Sequence, residues 1–424
     1  MITRPRALLQ LYLDSYRGLP RKVWLLAAVM LINRSGAMVV AFLSVYLVNE
    51  YEYSLAQASL VMAAFGAGGV AGNYCGGLLN DRYGSWHIML YTMIVAGGLH
   101  ILLGYMTTFA GLCTVAFLVS LFADAFRPAN RAAIAIYAPP ERLTQSYGLQ
   151  RMAVNLGLSI GPALGGVLIA NYGFKTVFWG DGLTFLLAAL AFYVLLPADE
   201  TARPLVRETD TTLHGTAQAP PAHHQTWLLL MALANLCVMV CFFQFFSTLP
   251  VYLTEIGYDE ATVGFLMTMS GVTIVLLEMP LVYSAEQRRY RPISVMVVGG
   301  SLIALAYALL PLTLGSVYLV AGFMVLLTIG EIYYMPFTAT YVARWAPAAR
   351  RGEYLGVLSA SFSMAFIFTP LVCLNVAEHY GFVPSIYTGV AIGAVGVLLY
   401  PTLDRIRRRV TGPEPSVRRS PSST

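Results

Sequence analysis

Residues 123–174 read ADAFRPANRAAIAIYAPPERLTQSYGLQRMAVNLGLSIGPALGGVLIANYGF, and residues 331–382 repeat the pattern 208 positions later without a gap. The offset carries Pro128 onto Pro336, Ala138-Pro139 onto Ala346-Pro347, Arg142 onto Arg350 and Gly148 onto Gly356. It also carries Pro162 onto Pro370 and Tyr172-Gly173-Phe174 onto Tyr380-Gly381-Phe382. Ten of the 52 aligned pairs are identical, most of them Pro, Gly or aromatic, the residues that set backbone geometry. Each copy reads as an apolar helix, an Ala-Pro exit, a short Arg-bearing loop, a second apolar helix containing Pro, and a Tyr-Gly-Phe turn. A repeat of such long period makes the chain two related halves. They differ in charge, since Asp124, Arg127, Arg131 and Arg151 correspond to Ile332, Met335, Ala339 and Ser359.

Working outward from the repeat, the composition sets the class. The chain is 58% hydrophobic and 11% charged, against about 25% charged residues in an ordinary soluble domain. A helix needs roughly 20 mostly apolar residues to cross the hydrocarbon core, and twelve such stretches are predicted, from 23–47 to 383–403. The expected organisation is an amphipathic segment at 1–22, a six-helix bundle at 23–196, a polar linker at 197–226, a second bundle at 227–403, and a basic tail at 404–424.

Most of the 26 Lys and Arg fall in loops or tails on one side if the spans alternate, and only Lys175 falls in a loop on the other. Short loops rich in Lys and Arg stay cytoplasmic, so both termini are expected inside the cell membrane. The net charge of +5 is thus a topology signal, and no nucleic-acid partner is expected. Cys75, Cys113, Cys237, Cys241 and Cys373 all lie within spans, and His214, His223 and His224 fall in the linker. No metal, disulfide or cofactor is expected, nor is there a nucleophile–base pair to suggest an enzyme.

The first span carries Asn33-Arg34-Ser35-Gly36 near its middle. An arginine at mid-bilayer costs about 2.5–3.5 kcal/mol on insertion scales, so Arg34 should face a cavity or an acid. The second span contains Gly66, Gly68, Gly69 and Gly72. The spacing imitates a dinucleotide fingerprint without its strand and turn, and in a membrane helix it reads as close helix packing. That span leaves through Gly77-Leu-Leu-Asn-Asp81-Arg82-Tyr-Gly84. The GxxxDRxG pattern resembles the signature loop of the major facilitator superfamily of transporters. The resemblance implies that Gly77, Asp81, Arg82 and Gly84 form a conformational latch, with Gly77 packing closely and Gly84 turning the loop. Ser85 and Trp86 stand where the family usually has basic residues.

On the fourth span, spacings of three and four put Asp124, Arg127 and Arg131 on one helical face, and Arg127 resembles the family's fourth-helix arginine. Arg151 adds a cation on the fifth span. Arg34, Arg127, Arg131 and Arg151 are the expected cavity charges, with interfacial snorkelling as the alternative for the last two. The run Gly157, Gly161, Pro162, Gly165 and Gly166 resembles the antiporter motif of the twelve-span drug–proton branch. The alternative is a kinked, close-packed helix.

In the second half Glu331 lies near the middle of the tenth span. A carboxylate at that depth is paired with a cation or exchanges protons. Glu331 and Asp124 are the candidate proton-coupling acids, with Arg34 and Arg127 the cations expected to meet Glu331. Phe242, Phe243, Tyr333 and Tyr334 are candidate cavity aromatics, and packing is the other reading of them.

Together these readings give an all-α membrane protein, twelve transmembrane helices in two pseudo-symmetric six-helix bundles, expected to work as a monomer. The resemblance implies proton-coupled export of a small amphiphilic organic molecule or drug by alternating access. Proton-coupled uptake of a peptide-like or other small solute is the alternative. A transport-like receptor would need no protonatable acid in its cavity.

Overall fold

Apolar runs of this length must satisfy every backbone N–H and C=O internally, and in lipid a helix does so within one segment. In the computed structural model, described for residues 18–139, 142–196, 224–288, 290–347 and 351–411, helices account for all twelve predicted crossings. No strand occurs among the described residues. The first bundle holds α1 (Arg21–Ser35), α2 (Met38–Asn49), α3 (Leu55–Tyr83), α4 (Ser85–Leu103), α5 (Phe109–Tyr137), α6 (Leu143–Tyr172) and α7 (Lys175–Leu195). The second holds α8 (Thr226–Phe243), α9 (Thr248–Glu255), α10 (Glu260–Gln287), α11 (Pro292–Leu309), α12 (Val317–Trp345), α13 (Arg351–Tyr380) and α14 (Phe382–Thr411). Residues 404–411 therefore continue the last helix rather than opening a separate tail. Most of the expected amphipathic segment, most of the linker with His214 and His223, and the end of the tail lie outside the described residues.

The 208-residue offset holds in three dimensions. It carries α5 onto α12 and α6 onto α13 end to end, and Gly173 and Gly381 turn with positive φ of 83° and 87°. The first and seventh crossings are both interrupted. The first breaks at Gly36-Ala37 between α1 and α2, and the seventh passes through a 3₁₀ turn at Gln244–Phe246 between α8 and α9. Adding 208 to Gly36 gives Gln244, so the break belongs to the repeat.

Both described chain ends approach one face, here the terminal face. The other face carries the loops around Glu50 and Asp259. The bundles meet closely in the half near that opposite face, while α6 and α10 stay in contact further along through Ser159 and Gly271 and through Arg151 and Glu278. Near the opposite face the Ala56 N–H donates to Glu378 Oε2 at 2.9 Å, Asn375 Nδ2 donates to Ser59 Oγ at 3.0 Å, and Gly166 meets the backbone of Glu260. One apolar core runs from α2, α3 and α5 into the second bundle there. The terminal half of the first bundle has its own separate core, built on Leu26, Met89, Phe126 and Phe192. The space between the bundles is thus closed at the opposite face.

Candidate functional site

Between the bundles lies a cavity of about 470 Å³. Helix spacing prepares its first-bundle wall. On α5, Asp124 and Arg127 are one turn apart, and Arg127 Nε lies 2.9 Å from Asp124 Oδ1. Arg34, at the end of α1, brings Nη2 to 3.9 Å from the same oxygen. Gly69 makes room for this cluster, because a Cβ there would fall 2.6 Å from Asp124 Oδ2. Asn33 shares the wall, is 1% exposed, and makes no hydrogen bond through either amide atom among the described residues.

The opposing wall is aromatic. Phe242, Phe243 and Phe246 come from the interrupted seventh crossing and Phe362 and Phe366 from α13, and Phe65 of α3 meets Phe366 from the first bundle. Phe243 meets Phe366 edge-on at 5.1 Å between ring centroids. Glu331 of α12 lines the same cavity. A charge withdrawn from water without a partner is costly, yet Glu331, half-buried, has no ion pair or hydrogen bond among the described residues.

The expectation that Glu331 meets Arg34 or Arg127 is therefore corrected: both arginines reach Asp124 on their own bundle. Two expected cavity charges lie off the wall. Arg131 is exposed, and its carbonyl accepts from Tyr147 Oη at 3.2 Å. Arg151 bridges the bundles to Glu278 of α10 at 2.8 Å, a pair that Asn155 supports. Two expected cavity aromatics also move. Tyr334 is fully buried behind the wall, where its hydroxyl meets Tyr400 Oη at 2.5 Å and Asn235 Oδ1 at 3.0 Å. Tyr333 packs against the main core. In each case the helix face, which composition does not reveal, decides the outcome.

The glycine-rich run of α6 faces the broken first crossing. Added Cβ atoms at Gly157, Gly161 and Gly165 would strike Arg34, Ala37 and Met38 in turn, while Pro162 lines the cavity. Gly166 faces α10 instead. In the loop between α3 and α4, Gly84 alone makes the turn, with φ 80° and ψ 155°. Arg82 lies 5.4 Å over its neighbour Tyr83, and the Asp81 side chain is outside the described residues. Gly77 departs from its expected packing role, since a Cβ there meets nothing within 4 Å. The close approach lies at Gly68, Gly72 and Gly76, against the backbone of Phe117, Leu121 and Ala125.

Asp181, by sequence a weaker candidate because its span is peripheral in the family's architecture, and His100, which sequence reasoning left out, both lie on the cavity wall. Asp181 of α7 takes the N–H of Met38 at 3.1 Å and of Val39 at 2.9 Å, capping the free first turn of α2. His100 Nε2 lies 3.8 Å away. An acid in the middle of a peripheral span was the available signal, and Gly36 opposite it completes the geometry.

Comparison with known proteins agrees with this architecture. The chain matches the Major Facilitator Superfamily over residues 23–330 and 231–423. It is 26% identical over 390 residues to the uncharacterised MFS-type transporter YttB of Bacillus subtilis (strain 168), across 90% of this chain and 96% of that one. It is 25% identical over 400 residues to a Na(+), Li(+), K(+)/H(+) antiporter of Planococcus maritimus, across 87% and 91%. Among solved structures, a peptide transporter of the POT type in complex with sulfate superposes with a TM-score of 0.77 at 15% identity, over 92% of this chain and 96% of that one. A bacterial homologue of the human lysosomal transporter Spinster, in an inward-facing conformation, gives 0.75 at 15% identity, over 92% and 97%. The chain is a multi-pass membrane transporter rather than an enzyme, and it belongs to the major facilitator superfamily.

Proposed function

We propose that this transporter exports a small amphiphilic organic molecule, one carrying positive charge, in exchange for protons. One observation carries the reading: Glu331 stands unpaired among the described residues on a cavity wall of phenylalanines. A carboxylate beside aromatic faces suits a cation with an apolar body, through charge and cation–π attraction. The same carboxylate holds a proton or a cationic cargo but not both, and that competition is the physical basis of exchange. The antiporter among the relatives supports exchange as well. Asn33 offers the cargo a donor and an acceptor from the facing wall.

With both termini in the cytoplasm, as the loop charges favour, the closed opposite face is the outer one and the cavity awaits cargo from inside. Rocking of the bundles then exposes it outward, where a proton on Glu331 displaces the cation. Asp124 holds Arg34 and Arg127 on the facing wall through the cycle. The glycines of α6 give the broken first crossing a smooth surface on which to shift. The transporter works as a monomer in the cell membrane.

The test uses purified protein in liposomes of known orientation, a fluorescent lipophilic aromatic cation, and an imposed proton gradient. Movement of the cation toward the acidic compartment, against its own gradient, is expected. Accumulation in the opposite direction would mean uptake by symport and overturn the export reading.

A further inference from the structure

The break in the first crossing is built differently in the two halves. In the second, Gln244 occupies the position of Gly36, and its side chain stands against Gly389, the repeat partner of Asp181. Gln244 Nε2 donates locally to the Cys241 carbonyl at 3.2 Å. The repeat partner of His100 is Ala308. The second half thus makes this break with neither an acid nor an imidazole at the corresponding positions, and the first half has both there. Asp181 is 1% exposed and His100 4%, so neither serves solubility.

The hydrogen bonds fix the imidazole. Its Nδ1 lies 2.8 Å from the Ala96 carbonyl, which only accepts, so Nδ1 carries the hydrogen. In the neutral ring Nε2 is then bare, and Nε2 is the atom facing Asp181 Oδ2. We infer that His100 and Asp181 form a proton-binding site, separate from Glu331 and Asp124, that sets the grip of Asp181 on the first turn of α2. One proton enters from the cavity and is held between Nε2 and Oδ2, taking the pair from a net charge of minus one to zero.

Among the described residues the other charges nearby are engaged elsewhere, those of α5, packed against α4, in the Asp124–Arg127 pair. Against α7, α4 presents His100, and α2 carries no charged residue. α1 presents Arg34, which reaches to Asp124. α6 brings only Arg151, engaged by Glu278. Without the proton, both carboxylate oxygens take main-chain N–H groups, and charge-assisted bonds of this kind are about twice as strong as neutral ones. With it, the cap becomes neutral and α2 is held less firmly. Through Tyr46, which rests on Phe178, and through its contact with α9, α2 belongs to the closure of the opposite face. The site therefore couples proton binding to that closure without involving the cargo.

The experiment uses cargo-free protein. Infrared difference spectra between mildly acidic and mildly alkaline buffer read protonated carboxyl and imidazolium bands. A parallel measurement follows thiol labelling of Ala37→Cys, at the break, on a background lacking the native cysteines. Wild-type protein should show a pH-dependent band from the pair, distinct from the Glu331 band that Glu331→Gln removes, and a several-fold rise in labelling in acid. Asp181→Asn should lose both, His100→Gln should keep the carboxyl band with a displaced midpoint, and Glu331→Gln should keep the pH-dependent labelling. Absence of any pH-dependent band assignable to the pair in wild type, or pH-independent labelling of wild type, overturns the inference. Loss of the labelling response in Glu331→Gln does so too, because it would place the proton on Glu331. Failure of Asp181→Asn to fold leaves the wild-type and His100→Gln arms to decide. None of these readouts depends on the direction of transport or on the cargo.

Discussion

Arg34 and Asp124 meet across two helices, from the end of α1 to the middle of α5, with Nη2 3.9 Å from Oδ1. Arg127 shares that oxygen at 2.9 Å, so one carboxylate answers two guanidinium groups. Arg34 has an 11% exposed side chain and makes no hydrogen bond through Nη2. Removing one partner of a buried pair costs about 3–5 kcal/mol, because the remaining charge is left uncompensated. Asp124→Asn should therefore lower the thermal midpoint of the purified protein and abolish transport, with Asp124→Glu recovering part of both. A midpoint equal to wild type would show that Arg34 is held by something other than Asp124.

Gly84 links α3 to α4 as a single residue at φ 80° and ψ 155°, a region open essentially to glycine alone. Strained conformations of this kind cost about 1–3 kcal/mol for other residues. Gly84→Ala should fold with lower stability, measured as an earlier thermal transition. Gly77→Ala, which meets open space, should leave that transition where it is. The pair of variants separates the turn from packing, and equal losses in both would contradict this account of the loop.

Much of the fold was legible because the repeat is legible. Proline and glycine at fixed offsets determine where helices bend and stop, so α5 and α6 predict α12 and α13 to the residue. The Asp124–Arg127 pair was readable for a similar reason, since a spacing of three on a helix leaves little choice. Which way a side chain turns within an apolar span is a different matter. Tyr333 and Tyr334 sit two and three residues from Glu331, yet α12 directs both away from the cavity. Asp181 ranks below Glu331 and Asp124 by sequence because its span is peripheral in the family's architecture, and its partners, the free amides of Met38 and Val39, exist only once the first crossing breaks. The break has no proline to announce it. Gly36 opposite Thr184 and Asp181 is a contact between spans far apart in sequence.

At the terminal face, Asp404 near the end of α14 receives Arg291 at 2.7 Å, Arg407 at 2.6 Å and Arg408 at 2.9 Å. Arg407 is 1% exposed, with its guanidinium 3.6 Å from the centroid of the Trp345 ring. The cluster ties the start of α11, the end of α12 and the last helix together within the second bundle. Asp404→Asn leaves a buried arginine without its carboxylate, a loss of about 3–5 kcal/mol for a pair of this depth. The expected result is a lower yield in the membrane and an earlier thermal transition, with the cargo affinity of the folded fraction unchanged. Reduced affinity in folded protein would instead tie this cluster to the cavity.

Glu331 offers the sharpest separation between coupling and architecture. Its repeat partner is Ala123, so the shared fold does not require a carboxylate there. It lines the cavity with no cation from either bundle against it among the described residues. Glu331→Gln keeps the shape and still hydrogen-bonds, so the variant should reach the membrane and fold with wild-type stability. It has no site for the competing proton, so cargo accumulation driven by a proton gradient should vanish. Exchange of cargo for cargo should persist at a reduced rate, because the phenylalanine wall and Asn33 remain while the charge attraction is gone. Both are read in the same liposomes, with and without the gradient. If the Gln variant still concentrates cargo at near wild-type rate, the coupling acid lies elsewhere and Asp124 is next to be tested; if exchange also disappears, Glu331 is needed for cargo binding before any proton is involved.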